Sequence, residues 1–305
     1  MRLLFQSDSA DPARWEAALR RVEPALDFRV WPDVGDPALV DMMLVLRPPP
    51  GGLAGYDRLR LVHLISAGAD QVKDYPFPPG LPVARLSEPG QVAGMVEYVL
   101  HAVLHHHRDF DLYARQQAAR IWEEVPRVPA AQRTVGVMGL GALGTPVARA
   151  LTGLGFAVHG WSRSGRPVEG VTVHAGAEGM AGFLAASQIV VALLPLSPET
   201  VGLFDDRFFA AMPPGSFFIN AGRGAQLDMA ALARALVSGH LAGATLDVLS
   251  PEPPARDDPV WTVPNLRLTP HIATSPDPLT AAEVVIGNYR RVLAGEPLLT
   301  PVTPG

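Results

Sequence analysis

Short apolar runs alternating with stretches of helical spacing set the pattern of this chain. Arg2 to Phe5, Phe28 to Trp31, Met42 to Leu46 and Leu61 to Ile65 are runs of strand length, and Trp15 to Val22 between the first two repeats its apolar residues at helical spacing. Runs that are apolar throughout suit strands buried on both faces, and strands alternating with helices imply a parallel sheet. Pro76 to Pro89 is rich in Pro and Gly and breaks regular structure, and Val92 to Arg120 then carries one long helical pattern. Alternation resumes with strands over Thr134 to Met138, Phe156 to Trp161, Val171 to His174, Ile189 to Leu193, Ser216 to Ile219, Ala244 to Val248 and Leu266 to Leu268. Helices are expected over Ala142 to Leu154, Glu178 to Ala186, Phe204 to Met212 and Leu227 to Ser238, the last opened by Asp228, whose carboxylate suits the positive end of the helix dipole. A final helix, Pro278 to Leu293, follows the completed second sheet. The pattern therefore predicts two α/β domains with parallel sheets, the second inserted into the first. Residues 1–94 and 276–305 form one and 95–275 the other, with hinges near Glu88 to Gly94 and Ala273 to Pro278.

The most informative stretch is Thr134 to Arg166. A strand runs into Gly139-Leu140-Gly141-Ala142-Leu143-Gly144, a G-x-G-x-x-G spacing, and a helix and a second strand follow. The first glycine permits a tight turn, the second lets backbone approach a pyrophosphate, and the third lets helix and strand pack closely. The helix then offers free N–H groups and a positive dipole end to the phosphates. Glycine-rich turns alone are common, but here strand, turn, helix and strand stand in the required order.

Composition narrows the chemistry. With 48% hydrophobic and 18% charged residues, the 305-residue chain can bury two cores. A net charge of −5 argues against nucleic-acid or anionic-membrane partners. There are no cysteines, which removes disulfides, thiolate metal sites and Cys nucleophiles, and Lys73, the sole lysine, is an unpromising Schiff-base candidate. The N-terminal apolar run is too short for a signal peptide and none is long enough for a membrane span, so a cytoplasmic protein is expected. His101, His105, His106 and His107 share the long helical pattern without a third ligand at suitable spacing; a helix flank or a subunit contact explains them better than a metal.

Three polar residues stand just past strands, each flanked by Gly or Pro: Arg223 in Asn220-Ala221-Gly222-Arg223-Gly224, Glu252 in Ser250-Pro251-Glu252-Pro253, and His271 in Thr269-Pro270-His271. Charged loop residues are usually solvated surface. Reduction of a 2-oxoacid, however, needs a cation for its carboxylate and a proton for its carbonyl oxygen. Arg binds a carboxylate bidentately, His titrates near neutrality, and a Glu bonded to the ring orients it and keeps its proton available.

In order, the glycine motif, Leu194-Pro195-Leu196-Ser197-Pro198-Glu199-Thr200, Asn220 to Gly224, Asp247 through Glu252-Pro253, and Thr269-Pro270-His271 resemble the D-isomer-specific 2-hydroxyacid dehydrogenase family over essentially the whole chain. Val96 to His107 and Gly160-Trp161-Ser162-Arg163-Ser164 look most like its glyoxylate/hydroxypyruvate reductase A group. The resemblance implies two Rossmann-like or flavodoxin-like domains, with substrate between them and water excluded by closure. It implies that Arg223 binds substrate, Glu252 pairs with His271, and His271 is the acid/base. It assigns the glycine loop, Trp161, Leu194 to Ser197, Ala221, Gly222, Arg223 and Asp247 to the cofactor, the backbone of Ala67 and Gly68 to the substrate carboxylate, and a homodimer to the assembly.

The cofactor can be read further. An NAD-preferring strand end usually carries Asp or Glu for the ribose hydroxyls, whereas this chain has Ser162-Arg163-Ser164 with Arg166 nearby. Guanidinium groups suit a 2′-phosphate, so NADP(H) is the preferred cofactor and NAD(H) the alternative, unless both arginines are merely solvated. Leu46 replaces an aromatic residue often found near this place in the reductase group, leaving the substrate side chain open, and Arg47 either reaches a substrate carboxylate or faces solvent. Two rivals remain, a family member acting on bulkier 2-oxoacids and a nucleotide-sensing binding protein on the same fold.

Overall fold

Two parallel sheets account for the apolar runs. The computed structural model describes residues 1–72 and 74–302, so Lys73 lies outside the described residues. The chain divides into two units, Met1–Gln91 with the stretch from Ser275 onward, and Val92–Thr274.

In the first unit, β1 (Arg2–Gln6), β2 (Asp27–Val30), β3 (Met42–Val45), β4 (Leu61–Leu64) and β5 (Val83–Ala84) form a five-stranded sheet in the order β2-β1-β3-β4-β5. β3 and β4 are buried along their whole length, as unbroken apolar runs require. One face packs on α1 (Pro12–Val22) and on the C-terminal helix α8 (Pro278–Ala294), through Trp15, Leu19, Val285 and Ile286. Each helix opens with an Asp cap followed by Pro at the first helical position, and α8 stops at Gly295 with φ 70°. β5 corrects the reading of Pro76 to Pro89 as irregular: two residues are too few to show a period. Just beyond it, the buried carboxylate of Glu88 accepts the N–H groups of Gly90 and Gln91 at 2.6 and 2.8 Å and the Thr280 hydroxyl at 2.7 Å. It thereby joins the start of α2 (Pro89–His107) to the start of α8.

In the second unit, seven parallel strands run in the order β12-β11-β10-β9-β6-β7-β8. They are β6 (Thr134–Met138), β7 (Ala157–Ser162), β8 (Val171–Ala175), β9 (Ile189–Ala192), β10 (Ser216–Asn220), β11 (Leu241–Leu246) and β12 (Leu266–Leu268). One face is covered by α2 and α4 (Gly144–Gly153), the other by α5 (Gly176–Ala186), α6 (Asp206–Ala210) and α7 (Met229–Val237). From β6 the chain builds outward in one direction to β8, then returns to the other side for β9 to β12. That reversal between β6 and β9 is where open α/β sheets bind ligands, outside the carboxyl ends of the strands.

Several expected boundaries move. The pattern from Val92 to Arg120 is two helices, α2 and α3 (Phe110–Ala119), because Asp109 adopts a left-handed φ of 56°. β11 begins three residues early, at Leu241, and ends before Val248. The helix expected from Phe204 to Met212 shrinks to α6, since Phe204 bridges to Leu227 instead. Of the α2 histidines His101 is exposed, as a flank residue should be, but His105, His106 and His107 are buried: His106 is 1% exposed, lies 2.9 Å from the Thr245 hydroxyl and stacks on Phe217. No helix among the described residues is long and apolar enough to cross a membrane.

Two buried histidines, His63 of β4 and His106 of α2, give stability a pH dependence. His63 accepts from Asn288 at 3.1 Å, and its other ring nitrogen meets the Leu64 carbonyl at 2.9 Å. Burial, above all, pushes both His63 and His106 down to about 4. The unfolded chain protonates them near 6.5, so between these values it binds more protons than the native state, and stability falls as pH falls. Between about pH 7 and pH 5 the loss is about 2 kcal/mol per histidine, in a range above most carboxylate titrations. Urea midpoints measured across this window should drop, and H106N should roughly halve the slope; a flat midpoint contradicts the account.

Candidate active site

β6 delivers the chain into a turn that only glycine can make. Gly139 has φ 98° and donates its N–H to the Trp161 carbonyl at 2.8 Å. A Cβ on Gly144 would collide with the Gly139 carbonyl, whereas a Cβ on Gly141 would meet nothing within 4 Å. The third position is thus closed by the protein itself, and the second is open, as an approaching pyrophosphate requires. No side chain caps α4; Thr145 donates its N–H to the Gly141 carbonyl at 3.0 Å and Pro146 has none, so the N–H groups without an acceptor among the described residues are those of Gly141 to Gly144. Leu140 packs over Gly160 of β7, so it supports the turn, while Ala142 is exposed and Leu143 half-buried.

At the end of β7 the Ser162 hydroxyl accepts the Gly165 N–H at 3.2 Å and shapes the turn. Arg163, Ser164 and Arg166 are exposed, and neither guanidinium has an ion pair or hydrogen bond among the described residues. Trp161 does something else: its ring is 8% exposed in the core, and its indole N–H donates to the Gly176 carbonyl at 2.8 Å. It holds the strand end and offers the cofactor no polar group of its side chain.

Past β9, Leu194 is buried, Pro195 exposed, and Leu196 and Ser197 half-buried. Gln226, which sequence reasoning missed, ties this loop to the next. Its amide donates to the Leu194 and Pro195 carbonyls at 3.1 and 3.0 Å and accepts the Arg223 N–H at 3.0 Å. Its spacing three residues after Arg223 was the only available signal. Ala221 and Gly222 are buried beside it, and the Arg223 guanidinium donates to the Gly222 carbonyl at 2.8 Å. A Cβ on Gly224 would collide with the Leu249 carbonyl, so the loops after β10 and β11 touch at backbone distance.

Glu252 and His271 are brought together. Glu252 Oε2 lies 2.8 Å from His271 Nδ1, and its Oε1 accepts the Leu249 N–H at 2.6 Å. The His271 side chain is 51% exposed, which leaves the other ring nitrogen accessible. His271 has φ 54°, unusual for a residue other than glycine. Asp247 explains how that is held: its buried carboxylate accepts the Ile272 and Ala273 N–H groups at 2.8 and 2.7 Å, and its carbonyl accepts the His271 N–H at 2.9 Å. The bonds of Asp247 are thus local and structural. Because the strands are parallel, the glycine loop, Arg163, Arg223, Glu252 and His271 all sit along one edge of this sheet.

In the first unit, Leu46 is half-buried and Arg47 exposed after β3, while Ala67 and Gly68 follow β4. The carbonyl of Ala67 accepts Arg85 at 3.0 Å, and that of Gly68 accepts the Ser66 hydroxyl at 2.8 Å and Gln71 at 3.3 Å. The Ala67 and Gly68 N–H groups find no acceptor among the described residues. Arg85 and Gln71 were not foreseen. Among the described residues no group of three or more His, Asp or Glu could hold a metal ion. His105 instead meets Asp111 at 2.8 Å and Arg267 at 2.7 Å.

Residues 100–273 match the family model described as D-isomer specific 2-hydroxyacid dehydrogenase, NAD binding domain. The chain belongs to this family. A relative from Serratia proteamaculans, named glyoxylate/hydroxypyruvate reductase A, is 38% identical over 97% of this chain and 96% of its own. A D-isomer specific 2-hydroxyacid dehydrogenase from Xanthobacter autotrophicus Py2, solved with NADPH and MES, is 43% identical at a TM-score of 0.95, covering 99% of this chain and 98% of that one. An NADPH-dependent glyoxylate/hydroxypyruvate reductase from Sinorhizobium meliloti, solved with NADP and sulfate, is 33% identical at a TM-score of 0.92, with the same coverage. In this 2-hydroxyacid dehydrogenase chain the open second glycine and the uncapped helix fit a dinucleotide.

Proposed function

We propose that the chain catalyses NADPH-dependent reduction of small 2-oxoacids, glyoxylate and hydroxypyruvate first, to 2-hydroxyacids. The observation that carries this reading is the 2.8 Å pair of His271 and Glu252, set on the sheet edge that also bears the glycine loop and Arg223. Bound NADPH supplies the hydride. The turn from Gly139 to Gly144, at the start of α4, holds its pyrophosphate, and Arg163 and Arg166 hold its 2′-phosphate. Leu194 to Ser197, Ala221 and Gly222 line the same edge. Arg223 takes the substrate carboxylate; in the first unit, the N–H groups of Ala67 and Gly68 suit a carboxylate. In the doubly protonated ring of His271, Glu252 accepts from Nδ1–H, and Nε2–H passes its proton to the carbonyl oxygen as it becomes a hydroxyl, leaving the neutral Nδ1–H tautomer.

The reading rests also on the names of the relatives and on the cofactors in the two solved structures. Leu46 and Arg47 keep bulkier 2-oxoacids as the second reading. A panel of glyoxylate, hydroxypyruvate, pyruvate and a branched 2-oxoacid, followed by NADPH oxidation, separates the two: turnover confined to the branched acid overturns the substrate class. R163A should raise KM for NADPH about tenfold and leave KM for NADH unchanged, since only the former carries the phosphate. Equal efficiency with both cofactors in the unmodified protein removes the NADP assignment. A cytoplasmic homodimer completes the proposal, supported by the exposed apolar side chains of Phe110, Ile121 and Trp122. A light-scattering mass of one chain would remove the dimer.

A further inference from the structure

Behind His271 runs a hydrogen-bonded chain that the scheme above does not use. The Tyr98 hydroxyl, on α2, lies 2.6 Å from Thr269 Oγ1, and Thr269 Oγ1 lies 2.7 Å from Asp247 Oδ1. Asp247, 2% exposed, also takes the Ile272 and Ala273 N–H groups, one on each carboxylate oxygen. With amide donors on both oxygens Asp247 is an acceptor, so the Thr269 hydroxyl donates to it. The lone pairs of Thr269 Oγ1 are then left to accept the Tyr98 proton. Burial, chiefly, pushes Tyr98 up to about 12, so the phenol keeps that proton across the working range.

The chain ends on a strained element. His271 holds φ 54°, and its N–H reaches the Asp247 carbonyl at 2.9 Å. A non-glycine residue in the left-handed region persists only where its surroundings over-determine it. Asp247 supplies three of those bonds, two from its carboxylate and one from its carbonyl, and the carboxylate is in turn oriented by Thr269 and Tyr98. We propose that Tyr98 and Thr269 are positioning residues for the reduction, acting through Asp247 to hold His271 in the turn from which its ring meets Glu252. The proposal rests on the reading of His271 as the proton donor.

Shape and hydrogen bonding separate cleanly at Thr269. T269V keeps the branched shape and loses the hydroxyl; T269S loses the methyl and keeps the hydroxyl. T269V and Y98F should lower kcat about ten- to a hundredfold, the scale on which a small misplacement acts, with KM for NADPH unchanged. T269S should recover most of the turnover. If T269V fails to fold, Y98F, which removes one oxygen at the end of the chain, decides alone. Full kcat in Y98F and T269V, or a T269S as impaired as T269V, overturns the proposal. H271N measured alongside keeps the two readings apart. An active H271N removes the proton donor itself; an inactive H271N beside a fully active Y98F removes only the positioning chain.

Discussion

Replacing His271 by Ala should lower kcat for 2-oxoacid reduction by about three orders of magnitude while NADPH binds with unchanged affinity, general acid catalysis contributing about 10²–10⁴-fold. The size follows from what is lost. In the proposed scheme, without a donor at Nε2 the carbonyl oxygen gains negative charge with no proton delivered to it, while Arg223 serves the carboxylate end. The selectivity follows from where His271 sits. Its side chain is half-exposed, so its removal leaves no cavity, and the turn carrying it is held by backbone bonds to Asp247 that Ala retains. The glycine loop follows β6, separated from β12 in the sheet by three strands. H271N, which suits the left-handed backbone better, guards against a folding defect. Steady-state turnover together with NADPH fluorescence titration checks both halves; turnover within tenfold of the unmodified protein assigns the proton to another group.

The legible parts of the fold are those where one physical requirement dominates locally. β6 occupies the residues its apolar run predicts, Thr134–Met138, because a strand buried on both faces admits few polar residues and the glycine turn ends it sharply. α8 starts at Pro278 for an equally local reason, the Asp277 cap followed by proline. Features set by tertiary context were not legible. The helical period runs on through Asp109, and only its left-handed backbone divides α2 from α3. His106 reads as a helix-surface residue until the sheet covers it. At the site, Arg223, Glu252 and His271 stood out through their Gly and Pro flanks and the family resemblance. Their supports did not: Gln226 acts on a loop more than thirty positions earlier, and Tyr98 meets a hydroxyl 171 positions away. Such partners carry no spacing signal, since the fold alone brings them together.

Gly144→Ala should weaken NADPH binding at least about a hundredfold and lower the melting temperature by several degrees, a backbone clash being among the few mechanisms with effects this large. The added Cβ points at the carbonyl of Gly139, and neither atom can escape by a side-chain rotation. Gly139 is itself fixed, with φ 98° and its N–H bonded to the Trp161 carbonyl, so relief must come from moving the start of α4 away from β6. That movement displaces the N–H groups to which the proposed reading assigns the pyrophosphate. Gly141→Ala provides the contrast, because its Cβ would meet no protein atom within 4 Å. G141A should therefore melt with the unmodified protein and still bind NADPH poorly, since the space its methyl occupies is left open for the ligand. Thermal unfolding without cofactor, paired with NADPH titration, reads the two effects separately. Ordinary NADPH affinity in G144A contradicts the role of this turn, while ordinary affinity in G141A places the pyrophosphate elsewhere. The two glycines are three residues apart, yet one is required by the protein's own backbone and the other by what the backbone is shaped to receive.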